Sequence, residues 1–109
     1  MQEQRLKILE EYFLQDPTDP FNGYALAMEY ASVNRPKAMS FLENLYYHHP
    51  DYLPTYYHLA QFYFDMDENK KAEEVYLKGI ELAVKQGDHK AEKELKGAYQ
   101  IFKDETEEW

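Results

Sequence analysis

Apolar residues recur every three or four positions along most of this chain, the spacing of one helix face. No stretch holds the two-residue alternation of a half-buried strand, and no Asn-Gly or Asp-Gly hairpin turn occurs. Leu6, Leu9, Phe13 and Tyr12 predict a first helix over about 2–15, stopped by Asp16-Pro17. Asp19-Pro20 reads as an N-cap followed by proline at the first helical position. It starts a second helix reaching about residue 33, with Leu26, Ala27 and Tyr30 inward. Asn34-Arg35-Pro36 is a connector and a third start, and Ala38, Phe41, Leu42, Leu45 and Tyr46 form that helix's face up to Pro50. A fourth helix is expected from residue 51 or 52 to about 64, turning at Asp65-Met66-Asp67. The fifth begins near Glu68, carries Ala72, Val75, Tyr76, Gly79, Ile80 and Leu82, and ends at Gly87, a suitable C-terminal cap. Asp88 caps a sixth, in which Ala91, Leu95, Ala98 and Phe102 make one stripe. The five prolines, at 17, 20, 36, 50 and 54, all fall at helix edges. The expectation is an all-α chain of about six helices, antiparallel to their neighbours through short connectors.

The helices repeat. Leu26, Ala27 and Tyr30 recur as Leu59, Ala60 and Tyr63, an offset of 33, and Ala38, Leu42 and Tyr46 recur as Ala72, Tyr76 and Ile80, an offset of 34. The one-residue difference falls in the turn between paired helices, where insertions are tolerated. Asp16-Pro17 and His49-Pro50 also stand 33 apart. A helix-turn-helix unit of 34 residues is the tetratricopeptide repeat (TPR) period. Tyr56, Leu59-Ala60, Tyr63, Ala72, Tyr76 and Gly79 follow that repeat's order of aromatic, Leu-small, Tyr, Ala, aromatic, small, so the chain resembles the TPR family. In the first repeat Gly23 stands where an aromatic is expected, and Leu45 where a small residue is. In the second, Val84 holds the place of the closing proline. The stretches at 16–30 and 51–60 are similar to short free-standing bacterial TPR proteins. The resemblance implies a TPR-type solenoid of antiparallel helix pairs forming one domain over 1–109. Its expected parts are an N-terminal helix at 1–16, repeats at 18–50 and 51–86, a capping helix at 88–103 and an acidic tail at 104–109. Within it, Ala60 and Ala72 lie where two helices cross, and Gly79 implies a close neighbouring helix, since glycine costs about 1 kcal/mol in a helix interior.

Composition narrows the function. The chain has 109 residues, no cysteine and a formal net charge of −9. Thiolate metal sites, disulfides and cysteine nucleophiles are excluded, and an acidic surface repels nucleic acid and anionic membranes. The opening residues lack the pattern of a signal peptide, and no stretch approaches the ~18 apolar residues of a membrane span. The expected location is the cytoplasm. No nucleophile elbow, zinc-protease motif or phosphate loop occurs among only 4 glycines, so the expectation is a non-enzyme without cofactor or metal. His48 and His49 are adjacent at a helix end and point apart, and His58 lies beyond the turn, so all three read as cap and surface residues.

The excess of aromatics is the candidate chemistry: 11 Tyr, 6 Phe and 1 Trp. TPR helices stack with the first helix of each pair lining a concave surface. On that face the resemblance places Phe21, Tyr24 and Met28 in the first repeat, and Tyr57, Gln61 and Phe64 in the second. Such a row either binds an apolar peptide, with Tyr hydroxyls and Gln61 orienting it, or is core covered by the end helix. The Lys and Asn clamp by which some family members hold a C-terminal carboxylate is absent: Tyr24, Met28, Tyr57 and Gln61 fill its places. Lys93, Lys96 and Lys103 lie along the last helix and either edge the groove or form a solvated face beside Glu92 and Glu94. The first reading is an adaptor that binds a protein or peptide. The second is a scaffold that self-associates, and the third an accessory protein of an enzyme pathway such as haem synthesis.

Overall fold

The computed structural model describes residues 2–107. Among them are six α-helices and no strand: α1 (Gln2–Gln15), α2 (Pro20–Tyr30), α3 (Arg35–His48), α4 (Pro54–Asp65), α5 (Asn69–Gln86) and α6 (His89–Thr106). Local chemistry sets their ends. The Asp19, Asn34 and Asp88 carboxylate or amide oxygens accept from the amides of Phe21, Lys37 and Ala91 at 3.0, 3.2 and 3.0 Å. Gly87 closes α5 in the left-handed region at φ 70°, where a side chain would be strained.

Three boundaries differ from expectation, the first being the fourth helix, which begins at Pro54 rather than at 51 or 52. The second helix stops at Tyr30 rather than 33: the Val33 and Asn34 amides both close on the Tyr30 carbonyl, at 3.0 and 2.7 Å, and the Asn34 backbone leaves the helical region at φ −154° to cap α3. The last helix continues to Thr106 rather than ending at 103. The Thr106 hydroxyl donates to the Phe102 carbonyl at 2.7 Å, and Lys103 reaches Glu107 at 3.5 Å. The final two tail positions, 108–109, lie outside the described residues.

The chain divides into two compact units after Thr55. In the first, α1 packs on α2 and α2 on α3. Leu26, Ala27, Tyr30, Ala38, Leu42 and Leu45 are buried between them. Phe41 lies stacked on Tyr30 at 5.9 Å and edge-on to Phe13 at 5.3 Å. Helix α1 is fastened by polar contacts as well. Asn22 Nδ2 donates to the Tyr12 and Asp16 carbonyls at 3.2 and 3.0 Å, and the Tyr30 hydroxyl donates to Glu10 at 2.5 Å. That bond to Glu10, with burial second, raises the Tyr30 hydroxyl pKa.

In the second unit, α5 packs on α6, and the core holds Tyr56, Leu59, Ala60, Tyr63, Ala72, Val75, Tyr76, Leu95, Ala98 and Phe102. Gly79 is the close approach that the sequence implied. A Cβ there would stand 2.8 Å from Tyr56 Cβ, so α4 and α5 can meet only because residue 79 has no side chain. In the first unit the sizes are exchanged: Gly23 faces Leu45, with 3.6 Å between a built Cβ and Leu45 Cδ2. The two departures from the repeat pattern therefore compensate each other.

Candidate functional site

In the first unit the row on α2 runs Phe21, Tyr24, Met28, spaced three and four apart on one helix face. Phe21 is 58% exposed, and Tyr24 and Met28 are half-buried. Tyr24 stands edge-on to Tyr52, with ring centres 5.8 Å apart. Burial raises both hydroxyl pKa values, and for Tyr52 the neighbouring Tyr24 and Asp19 add to it. Tyr52 is thus part of this face, although it precedes α4 and has no place in the helix-by-helix spacing.

In the second unit the row on α4 runs Tyr57, Gln61, Phe64. Tyr57 is 39% exposed, and Gln61 and Phe64 are half-buried. Phe64 meets Phe102 of α6 edge-on at 5.1 Å. The end helix therefore uses one edge of Phe64 as core and leaves Tyr57 open. Beneath the row lies Tyr76, fully buried, against Phe102 at 5.5 Å and Tyr99 at 6.0 Å. Its hydroxyl has no hydrogen-bond partner within the described residues. Burial pushes its pKa up to about 12, with Tyr57 and Asp65 adding to the rise. Tyr76 reads as a helix-packing residue in the repeat, and nothing in the spacing reveals that its hydroxyl points toward that row.

The fold has solved counterparts. The solution NMR structure of a tetratricopeptide repeat domain protein from Salinibacter ruber superposes with a TM-score of 0.78 at 37% identity, covering 86% of this chain and 95% of that one. A crystal structure of a tetratricopeptide repeat domain protein from the same organism gives 0.75 at 38% identity, covering 78% and 97%. The chain belongs to the tetratricopeptide repeat family. No family model and no curated protein sequence matches it.

On this TPR chain the lysines of α6 are largely engaged within their own helix. Lys96 bonds Glu92 at 2.6 Å, which holds the Glu92 carboxyl below the usual carboxylate range. Lys103 pairs with Glu107 and lies 5.8 Å over the Tyr99 ring. Lys93 is exposed. Of the histidines, His48 lies in the last turn of α3 and His49 is its C-cap. His58 is half-buried beside Tyr57, and burial lowers its pKa. Among the described residues no three of His, Asp or Glu are grouped to hold a metal ion, and no helix is long and apolar enough to cross a membrane.

Proposed function

We propose that the chain is an adaptor that binds a protein or peptide segment through the aromatic faces of α2 and α4. The TPR fold itself points to protein interaction. The observation that carries the finer reading is the pair of open aromatics, Phe21 and Tyr57, each heading a helix-spaced row. Phe21, Tyr24 and Met28 offer one apolar strip, and Tyr57, Gln61 and Phe64 a second with an amide to orient a peptide backbone. Each strip is small, so a single segment binds weakly, with Kd on the order of micromolar or above.

The test is affinity capture from the source cell with the wild-type chain, a Phe21→Ser/Tyr57→Ser variant and a Leu77→Ser control. The variant alters exposed positions and spares Phe64, whose contact with Phe102 holds the fold. A partner kept by wild type and control and lost by the variant supports the reading. A partner retained by all three removes it.

A further inference from the structure

The charges of the first unit are unevenly placed. No lysine or arginine occurs between Lys7 and Arg35, nor between Lys37 and Lys70, so α2, the connection before α4 and α4 itself carry none. Within the first unit those runs hold Asp16, Asp19 and Asp51, all exposed. The unit's cations are Arg5 and Lys7 on α1, with Arg35 and Lys37 at the start of α3. Two of them serve the fold: Arg5 pairs with Glu29 at 3.5 Å, and Lys37 sits 4.9 Å over the Tyr30 ring. Lys71 over Tyr63 at 5.6 Å and Lys103 over Tyr99 at 5.8 Å repeat that second contact. A tyrosine ring face is electron-rich, and a lysine stem covers it while the ammonium is held by the ring's quadrupole.

Tyr24 and Tyr52 make a further ring surface, and it lies on the face already described. Their planes meet at 66° with centres 5.8 Å apart, and both rings are half-buried, so each keeps part of its surface open. Phe21, exposed, precedes Tyr24 by one turn of α2. Asp19 stands beside the pair. Its Oδ1 caps α2 by accepting from the Phe21 amide at 3.0 Å, and its charge is near enough to Tyr52 to add, after burial and Tyr24, to the rise in that hydroxyl's pKa. A carboxylate next to electron-rich rings makes the potential there more negative.

Two rings, a carboxylate and a surrounding sequence without cations suit a long basic side chain, its stem on the rings and its head beside the carboxylate. We infer that the segment bound by the first unit is a basic one, with a lysine or arginine seated on the Tyr24–Tyr52 pair beside Asp19. The inference rests on the proposal that the α2 face binds a protein segment, and it adds the chemistry of that segment. The net charge of −9 favours the same partner at longer range, since an acidic surface speeds encounter with a basic segment.

NMR titration of the full, isotope-labelled chain at about pH 7.5, where histidine is largely neutral, supplies the test. The probes are three short acetylated and amidated peptides with one leucine pattern, carrying lysine, glutamine or glutamate at the polar positions. The lysine peptide is expected to shift the amides around Asp19, Tyr24 and Tyr52 and to bind roughly tenfold tighter than the glutamine peptide, with the glutamate peptide weakest. Asp19→Asn is the sharp variant, because asparagine caps a helix as aspartate does and carries no charge. It is expected to weaken the lysine peptide by roughly threefold and leave the glutamine peptide unchanged. Tyr52→Leu, confirmed helical by circular dichroism, is expected to weaken the lysine peptide by roughly tenfold. Lysine and glutamine peptides that bind alike, and are both lost in the Phe21→Ser/Tyr57→Ser variant, overturn the cation site and leave the proposed function standing. A lysine preference that Asp19→Asn and Tyr52→Leu leave unchanged overturns the site as well, being attraction to net charge alone. So does the absence of any shift up to millimolar peptide.

Discussion

Tyr56 fills the volume that a side chain at Gly79 would occupy, with its Cβ 2.8 Å from where a Cβ at 79 would stand. The atom in the way is the root of the Tyr56 side chain, which cannot rotate aside. At the matching positions of the first repeat the small residue is Gly23 and the large one Leu45. One helix-pair contact is thus filled twice, with the bulk contributed from opposite helices. This is how a repeat can depart from its pattern at two positions and keep a closed core.

The three helical glycines should therefore respond differently to alanine. Gly79→Ala is expected to destabilise by about 1–3 kcal/mol, because overpacking against Tyr56 outweighs the gain in helix propensity. Gly97→Ala is expected to stabilise by up to about 1 kcal/mol, since nothing lies near its Cβ. Gly23→Ala meets Leu45 at an ordinary 3.6 Å and should be close to neutral or stabilising. Urea unfolding of the three variants checks this, and a common sign for residues 79 and 97 would remove the packing explanation.

Tyr76 gives a second prediction. Its hydroxyl is buried with no partner among the described residues, so Tyr76→Phe should keep or raise the melting temperature at neutral pH. The pH dependence follows from the pKa, which rises from 10.0 to about 12 on folding. The unfolded chain ionises first, so the contribution is intact below about pH 10 and is lost as pH climbs toward 12. The loss reaches about 2–3 kcal/mol. Tyr76→Phe should accordingly flatten part of the alkaline stability loss. A variant that melts lower than wild type at pH 7 would mean that the hydroxyl is bonded.

His58 acts at the other end of the pH scale. Burial lowers its pKa from 6.5, so the folded state resists the proton that the unfolded state accepts. Stability is unaffected above that value and falls as pH drops from it toward the lower folded pKa. His58→Gln is expected to reduce the slope of stability against pH below about pH 6.5. An unchanged slope would place the acid sensitivity elsewhere.

Asn22 ties the end of α1 by donating to the Tyr12 and Asp16 carbonyls, which also accept from the Asp16 and Asp19 amides. Asn22→Ala should cost about 1 kcal/mol, and the effect should be local. Hydrogen exchange is the readout: amides of α1 should lose protection while those of α5 keep theirs.

Much of this was legible in the sequence because it is local or periodic. The caps at Asp19 and Asp88, the stop at Gly87 and most of the inward positions follow from residue type and spacing alone, whereas Tyr12, read as part of the first helix's face, is exposed. The close neighbour of Gly79 was legible too, since a helical glycine needs a reason. What escaped depends on which side chains meet across helices. Gly23 and Leu45 look like two separate faults until they are seen to touch. Phe64 reads as a face residue, and only the packing of α6 brings Phe102 to its edge. The lysine row of α6 reads equally as a groove edge or a solvated face, and its spacing does not show that Glu92 and Glu107 lie beside Lys96 and Lys103. The orientation of the Tyr76 hydroxyl has no signature in one dimension.

The central claim, that the open aromatics of α2 and α4 contact a partner protein, can be tested at the two residues themselves. Phe21 and Tyr57 would each be replaced by photoreactive benzoylphenylalanine, with Leu77 as a control on exposed α5, and the source cells irradiated. The account predicts that positions 21 and 57 cross-link to a common foreign protein and that position 77 does not. Cross-links equal at all three positions, or none from 21 and 57 beyond a second copy of the chain, would contradict it.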